Sequence, residues 1–264
     1  MRGPSGLLAV ASVLFLASGS GVRAHAQTVA AAATAGNFAY TGDDGPAFWA
    51  ESAHAPACAA SPGGRQSPID LSRAVVDRRL EPLDLDLRET SFVLSNPGYT
   101  VVSTPEDRQT LTLNGEPYQL LQFHFHTLSE HTVNGSQGVM ELHAVFQDEN
   151  TKTKLAVIGV IYKMGRSNPF LQKLLAKGLP QKTTSPDKVV GSIDLAQAFP
   201  DLSRYYTYAG SLTTPPCGEN VQWLVLENWA EMSPQQFQSF HDVVGNNFRP
   251  LQRRNLRVIR KTAR

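Results

Sequence analysis

The chain has 264 residues, a formal net charge of +1 at pH 7 and a hydrophobic content of 41%. This length suits one large domain or two small ones, and the hydrophobic share is enough for a sizeable core. A charge so close to zero gives no global reason to expect a nucleic acid, a membrane or an acidic macromolecule as partner, and we predict none of them.

The N-terminus has the order of parts of a secretory signal peptide. A basic residue, Arg2, precedes a short apolar run, and a small-x-small sequence ends at Ala26. The apolar run is too short to span a membrane, and an ordinary N-terminal helix is the alternative. We expect residues 1–26 to be the signal peptide, residues 27–36 a flexible lead-in and residues 37–264 the folded part of a secreted protein.

Strand patterns dominate the body of the chain. Residues 83–87 alternate Leu with Asp, as a half-buried strand does. Residues 111–113 run into Asn114-Gly115, a sequence typical of tight hairpins. Many strands with few short helices predict a mostly β, single-domain fold around a mostly antiparallel sheet. The other predicted elements are strands at 99–103, 118–126, 140–147, 155–162 and 221–226 and helices at 169–177 and 233–243.

Two cysteines, Cys58 and Cys217, lie far apart in a chain that we expect to be exported. An oxidising compartment favours pairing, so we predict one disulfide that closes a long loop. Two buried free thiols are the alternative.

The C-terminus is locally basic. We interpret it as a solvated terminal strand or tail rather than as a binding patch. Its cations are Arg253, Arg254, Arg257, Arg260, Lys261 and Arg264.

Four histidines fall between residues 124 and 143. Side chains alternate across a strand, so His124 and His126 are predicted to point to one face. Phe123 and Phe125 then point to the other face, into a core. Two imidazoles side by side on a rigid strand are a ready pair of metal ligands.

Glu141 and His143 repeat this arrangement on what we expect to be a neighbouring strand. The carboxylate can accept the second N–H of the His143 ring, and the amide oxygen of Gln122 can do the same for His124. Three neutral imidazoles leave one tetrahedral position open, which is typical of a catalytic zinc. From these residues alone the metal is zinc or another divalent ion.

A rival interpretation makes Glu130 a metal ligand. His124-x-His126 with Glu130 four residues on resembles the first metal motif of cupins, all-β enzymes that use iron or manganese. However, the glycine spacing around this segment differs from that motif. The second cupin motif also has no counterpart after His143, so this alternative is the weaker one.

Taken together, the motifs resemble those of α-class carbonic anhydrases of the bacterial secreted type. The resemblance runs from Tyr40 to about Val258, nearly all of the chain after the predicted leader. In family order the motifs are Tyr40-Thr41-Gly42, Gly45-Pro46 with Trp49, Arg65-Gln66-Ser67-Pro68-Ile69, Gln122-Phe123-His124-Phe125-His126, Ser129-Glu130-His131-Thr132, Glu141-Leu142-His143, Ser211-Leu212-Thr213-Thr214-Pro215-Pro216, Asn247-Phe248-Arg249-Pro250 and Asn255-Leu256-Arg257.

The resemblance implies a large twisted, mostly antiparallel sheet and the reversible hydration of carbon dioxide to bicarbonate and a proton, by attack of zinc-bound hydroxide. It implies that Zn²⁺ lies on His124, His126 and His143. Glu130 then lies outside the ligand set and accepts a hydrogen bond from Thr213. The other implied roles are bicarbonate orientation by Thr214, support of the ligands by Gln122, Glu141 and His131, an apolar CO2 wall of Val145, Val157, Leu212, Val221 and Trp223, and the disulfide pair Cys58 and Cys217.

One departure concerns the proton. The family's fast members carry a shuttle histidine in the cavity, but Tyr99 stands at that position here. A phenol with a pKa near 10 is a poor shuttle at neutral pH, so we expect proton release to limit turnover. A catalytically weak or non-catalytic relative is the alternative function, although such relatives typically lack one of the three histidines.

A second departure concerns the segment after His126. Thr127 stands where many animal members have tryptophan, and the stretch to Glu130 is shorter, as in the bacterial branch. That branch implies a periplasmic location in a Gram-negative host, and a homodimer is the assembly it suggests.

Overall fold

The computed structural model describes residues 38–52, 55–59, 61–182 and 187–263. The predicted signal peptide and lead-in lie outside these residues. Among the helices that are described, none is long and apolar enough to cross a membrane. The strands are β1 (Val75–Val76), β2 (Asp84–Asp86), β3 (Thr90–Ser95), β4 (Val102–Pro105), β5 (Thr110–Leu113), β6 (Glu116–His126), β7 (Thr132–Val133), β8 (Ser136–Gln137), β9 (Met140–Asp148), β10 (Leu155–Met164), β11 (Lys188–Ile193), β12 (Tyr205–Gly210), β13 (Val221–Leu226), β14 (Ala230–Met232) and β15 (Arg260–Lys261).

Helices are few and short in the described ranges. Asn168 caps α1 (Pro169–Leu175), and Ser233 caps α2 (Pro234–Val244) through a reciprocal capping box with Gln236. The helix predicted to reach residue 177 ends earlier, because Gly178, at φ +68°, donates its N–H to the Leu175 carbonyl and closes the last turn. The helices are η1 (Gly42–Asp44), η2 (Trp49–Glu51), η3 (Pro56–Cys58), α1 (Pro169–Leu175), η4 (Leu195–Ala198) and α2 (Pro234–Val244), with η marking 3-10 turns.

Thirteen strands of the described residues form one mixed sheet, and β7 and β8 form a separate ribbon. The strand order along the large sheet is β1-β15-β12-β13-β10-β9-β6-β4-β3-β11, and β14, β5 and β2 pair outside this path. Among the named pairs, β10 is parallel to β13 and β14, β1 is parallel to β15, and the rest are antiparallel. The mostly β, mostly antiparallel fold predicted from the sequence is confirmed.

The turn between β5 and β6 has the predicted form. Asn114 and Gly115 both have positive φ, at 54° and 80°. Both central positions of a type I′ turn require this conformation, which is why Asn-Gly is favoured there. The strand predicted at 99–103 begins later, at Val102. Ahead of it the Thr100 hydroxyl donates to the Phe125 carbonyl, in place of a backbone ladder bond.

The side chains of strand β6 that face the main core switch from even-numbered to odd-numbered positions partway along the strand. Tyr118 and Leu120 pack into the main core, and so do Phe123 and Phe125, although a regular strand would send even and odd positions to opposite faces. The pairing of β6 with β9 shifts by one residue at Leu121, which is therefore the extra residue of a β-bulge. The bulge turns the histidines that follow it to the face opposite the main core.

Apolar side chains cover both faces of the central strands. On one face Phe123, Phe125 and Leu142 pack with Phe170 of α1 and Phe240 of α2. A smaller cluster on the other face contains Val145, Val157, Val221 and Trp223. The histidines of β6 and β9 lie on this second face, so the site has a rigid sheet behind it.

Candidate metal centre

Three histidine rings meet on neighbouring strands. His124 of β6 lies directly opposite His143 of β9, and His126 lies opposite Glu141. The ring centroids of His124, His126 and His143 lie 4.6 to 5.3 Å apart. One nitrogen of each ring lies within 4.8 Å of the corresponding atoms of the other two. The cross-strand register therefore gathers the three predicted ligands at one point.

The other nitrogen of each ring has a fixed acceptor. His124 Nδ1 lies 2.9 Å from Gln122 Oε1, and His143 Nε2 lies 3.0 Å from Glu141 Oε1, as the spacing predicted. His126 Nδ1 lies 2.7 Å from the Asn247 carbonyl oxygen. All three partners are acceptors, so each imidazole donates on that side and turns its lone pair to the shared point.

The rings are held in the neutral form that a metal needs. Burial lowers the pKa of His124 well below its ordinary value and that of His126 to about 4, and it also lowers the pKa of His143. His126 Nε2 is buried and has no hydrogen-bond partner among the described residues. Three neutral imidazole nitrogens, one of them buried without a partner, fit a metal ion.

Glu141 is the centre of a saturated buried network. Its Oε1 accepts from His143 Nε2 and from His131 Nδ1, at 3.0 and 2.7 Å. Its Oε2 accepts from the backbone N–H groups of Glu130 and His131, both at 2.8 Å. Burial acts to raise the pKa of Glu141, but the two neighbouring imidazoles and their hydrogen bonds hold it well below its usual range.

His131 belongs to this network rather than to a metal site. Its Nε2 lies 2.7 Å from the Tyr208 hydroxyl, which in turn lies 3.0 Å from Ser67 Oγ. His131, Glu141 and His143 are close enough to form a second group of metal-ligand type. However, the two nitrogens of His131 and both oxygens of Glu141 already have partners. This group braces His143 instead.

Glu130 lies beside two of the predicted ligands, His126 and His143. Its Oε1 accepts from the Arg249 backbone N–H at 2.7 Å and lies 3.5 Å from His126 Nδ1, which makes its shorter contact with Asn247. Its Oε2 is buried without a hydrogen-bond partner among the described residues. Burial raises the pKa of Glu130 to about 7, against the lowering effect of His143, the Thr213 side chain and the Arg249 amide.

A cavity of about 260 Å³ opens over His124 and His126. The predicted site residues that line this cavity are His124, His126, Gln122, Val145, Leu212, Thr214 and Tyr99. Leu121, the residue of the bulge, and Leu155 also line it, and the sequence did not single them out. Val157, Val221 and Trp223 are buried in the apolar cluster that also contains Val145, and Leu212 packs against that cluster. The predicted CO2 wall is thus divided between the cavity surface and the layer that supports it.

The predicted disulfide is confirmed. Cys58 and Cys217 are bonded with their Cα atoms 5.0 Å apart, across a separation of 159 residues. The Cys217 N–H donates to the Thr214 carbonyl at 2.9 Å, and Gln66 Nε2 donates to the Cys217 carbonyl at 3.1 Å. The bond therefore anchors the segment that carries Thr213 and Thr214.

Asn247 and Arg249 hold the site together in ways that sequence reasoning did not assign. Besides accepting from His126, Asn247 accepts from the Thr127 N–H at 2.7 Å and donates to the Phe125 and Tyr99 carbonyls. The guanidinium of Arg249 donates to Gln66 Oε1 and to the Ser67 and Cys58 carbonyls. The Asn-Phe-Arg-Pro motif was visible in the sequence, but nothing local to it indicates these distant partners.

Tyr99 lies at the cavity wall and packs against Phe38, with the ring centroids 4.8 Å apart. Burial raises its pKa further above the ordinary value of 10.0. The phenol is therefore even less able to exchange a proton at neutral pH than a free tyrosine.

Known proteins share this architecture over most of its length. A family model described as eukaryotic-type carbonic anhydrase matches residues 44–263. A carbonic anhydrase of Neisseria gonorrhoeae is 36% identical over 238 residues, covering 88% of this chain and 92% of the relative. One of Nostoc sp. is 38% identical over 229 residues, covering 84% of this chain and 85% of the relative. The solved alpha-carbonic anhydrase of Photobacterium profundum superposes with a TM-score of 0.77 at 37% identity, covering 86% of this chain and all of that one. The cupin alternative is thereby set aside, and this chain belongs to the eukaryotic-type, or alpha, carbonic anhydrase family.

Proposed function

We propose that this chain binds zinc through His124, His126 and His143 and uses it in the reversible hydration of carbon dioxide to bicarbonate and a proton. The family relationship supplies the reaction, and the chain is a lyase. The observation that carries the metal assignment is the convergence of three neutral imidazole nitrogens, two of them on buried rings, beside a cavity that His124 and His126 line. Zinc held by three imidazoles supplies, when bound, a water whose pKa is lowered to about 7.

Thr213 and Glu130 are proposed to set the direction of hydrogen bonding beside the metal. An ionised carboxylate can only accept, and the buried Oε2 of Glu130 is the acceptor that is left without a partner. A Thr213 hydroxyl that donates to Glu130 keeps its oxygen lone pairs as acceptors toward the cavity. The Arg249 N–H on Oε1 holds the carboxylate in place for this role.

Apolar side chains are proposed to receive the substrate. Carbon dioxide carries no net charge, so its site needs apolar surface more than hydrogen-bond donors. Val145 and Leu212 provide such surface on the cavity wall, and Val157, Val221 and Trp223 pack behind it. Thr214 lies on the same wall, where its hydroxyl can orient the more polar bicarbonate.

Export to an oxidising compartment is proposed on the strength of the Cys58–Cys217 disulfide. In a Gram-negative host that compartment is the periplasm.

Substitution of one ligand tests the proposal. His124→Ala should abolish both stoichiometric zinc and carbon dioxide hydration, measured by metal analysis and by stopped-flow with a pH indicator. His241→Ala, which removes a histidine of α2 outside the site, is the control and should retain both. Stoichiometric zinc without hydration activity in the wild type would instead support the non-catalytic alternative. Retention of zinc by His124→Ala would refute the ligand assignment.

A further inference from the structure

The C-terminal segment concentrates the positive charge of the chain. Six of the 24 Lys and Arg residues, and none of the 23 Asp and Glu residues, fall in residues 251–264. The rest of the chain therefore carries a net charge of −5, which the total of +1 conceals. Such a separation of charge can direct a protein toward an anionic partner even when its total charge is near zero.

An apolar side chain stands at the centre of this basic segment. Leu256 is 99% exposed, the highest value among the large exposed hydrophobic residues of the described ranges. Within those ranges, Leu256, Arg65, Arg253 and Arg257 line one surface groove of about 760 Å³. One acidic side chain borders this groove, because Glu219 lies 3.7 Å from Arg65.

The turn that carries Leu256 is firmly held. Arg254 Nε donates to the Arg257 carbonyl at 2.7 Å, and Arg257 Nε donates to the Arg254 carbonyl at 2.9 Å. Asn255, at φ +53°, donates its side-chain N–H to the Gly64 carbonyl at 2.6 Å. Leu256 is thus presented outward by a braced turn and is not exposed by a loose tail.

The residues after the turn also present apolar and cationic side chains to the surface. Val258 is 53% exposed and Arg260 is exposed, whereas Ile259 between them is fully buried and Arg257 stacks over the Tyr208 ring at 5.5 Å. This alternation in the stretch after the turn places Val258 and Arg260 on the outward side. Apolar and cationic groups are therefore presented together.

We propose that this Leu256 turn docks on an anionic phospholipid surface, with the Leu256 side chain entering the headgroup layer and the exposed Arg253 and Arg65 beside it contacting lipid phosphates. Interfacial anchors combine apolar side chains with cations in this way, and each cation near an anionic leaflet adds to the affinity. A nucleic acid is less suited, since none of the described residues that line the groove offers an aromatic ring for base stacking. The proposal is independent of zinc and of the hydration reaction.

Sedimentation with lipid vesicles tests the docking. The protein, purified after export and with the same N-terminus in every variant, is mixed with vesicles of phosphatidylglycerol and phosphatidylcholine or of phosphatidylcholine alone. We expect binding to the anionic vesicles only, and loss of that binding at high salt. Leu256→Ser should weaken it by about tenfold, and Arg253→Gln by about fivefold.

Two exposed residues far from the segment in sequence serve as matched controls. Val189→Ser removes an exposed aliphatic side chain of β11, and Arg166→Gln removes an exposed cation that pairs with Glu231. Neither should change vesicle binding by more than about twofold. The proposal fails if the wild type binds both vesicle types equally, or if Leu256→Ser behaves like Val189→Ser. It also fails if soluble polyglutamate displaces the protein from the anionic vesicles as effectively as added free anionic vesicles do. That result would indicate an acidic protein as the partner.

Discussion

Replacing Glu141 by glutamine would show how far a buried carboxylate supports the metal site. Glu141 accepts four hydrogen bonds, two on each oxygen, and is ionised because its pKa is held well below the usual range. A glutamine must turn its NH2 group either toward the two imidazoles or toward the two backbone N–H groups. In both orientations two buried donors lose their acceptor and face a third donor.

The structure sets the size of the effect. Each buried donor left without an acceptor costs about 1 to 3 kcal/mol, so Glu141→Gln should lower the free energy of unfolding of the metal-free protein by about 2 to 6 kcal/mol. When the NH2 group is turned toward the imidazoles, loss of the acceptor on His143 Nε2 also frees that ring to turn. Changes of this kind typically weaken metal affinity by about 10 to 100-fold.

Two measurements separate these effects. Competition with a chromophoric chelator gives the zinc affinity, and urea unfolding of chelator-treated protein gives the stability. Gln122→Ala is the comparison, because Gln122 is half-buried, neutral and contacts a single ligand, His124, at 2.9 Å. We expect it to lower zinc affinity by less than about tenfold. The reasoning would be refuted if Glu141→Gln kept the zinc affinity of the wild type, or if Gln122→Ala lost more zinc affinity than Glu141→Gln.

Three further predictions follow from the cavity, the disulfide and the buried titratable groups. Tyr99→His should raise carbon dioxide hydration in weakly buffered solution and not in strong buffer, as stopped-flow rates would show; unchanged rates in weak buffer would contradict a missing shuttle. Replacing Cys58 and Cys217 by serine should lower the free energy of unfolding by about 4 to 5 kcal/mol in urea titrations, because the bond closes a loop of 159 residues. In chelator-treated protein the pKa of His126 is about 4 in the folded state and 6.5 in the unfolded state, so between pH 4 and pH 6.5 unfolding takes up a proton. The free energy of unfolding therefore falls as the pH is lowered through this range. Glu130, whose pKa is raised to about 7, has the opposite effect and stabilises the folded state as the pH falls from 7 to 4.5. The pKa values of His124 and His143 are lowered like that of His126, so these two rings also destabilise the folded state at lower pH. Urea unfolding should therefore show a net loss of stability from about pH 7 to about pH 5, and a gain in stability would contradict it.

Short-range patterns were enough to predict which histidines come together at the candidate metal centre. His124 and His126 are two residues apart on one strand, and the pairing of Glu141 with His143 follows from the same two-residue alternation, so local spacing alone predicts their shared faces. The disulfide could also be predicted, since we expected the chain to be exported and two cysteines have a single way to pair. The Asn114-Gly115 turn is equally local, because its positive φ angles are a property of those two residues.

Contacts between distant segments were decided by the tertiary structure. Asn247, which holds His126, lies 121 residues from it, and Tyr208, which holds His131, lies 77 residues away. No periodicity connects such pairs, because side-chain patterns report the face of an element and not the element that packs against it. The sequence determined which residues could bind a metal and which way they face along a strand. The structure decided what lies opposite them, including the bulge at Leu121, since one extra residue in a strand becomes visible only through the register of its neighbour.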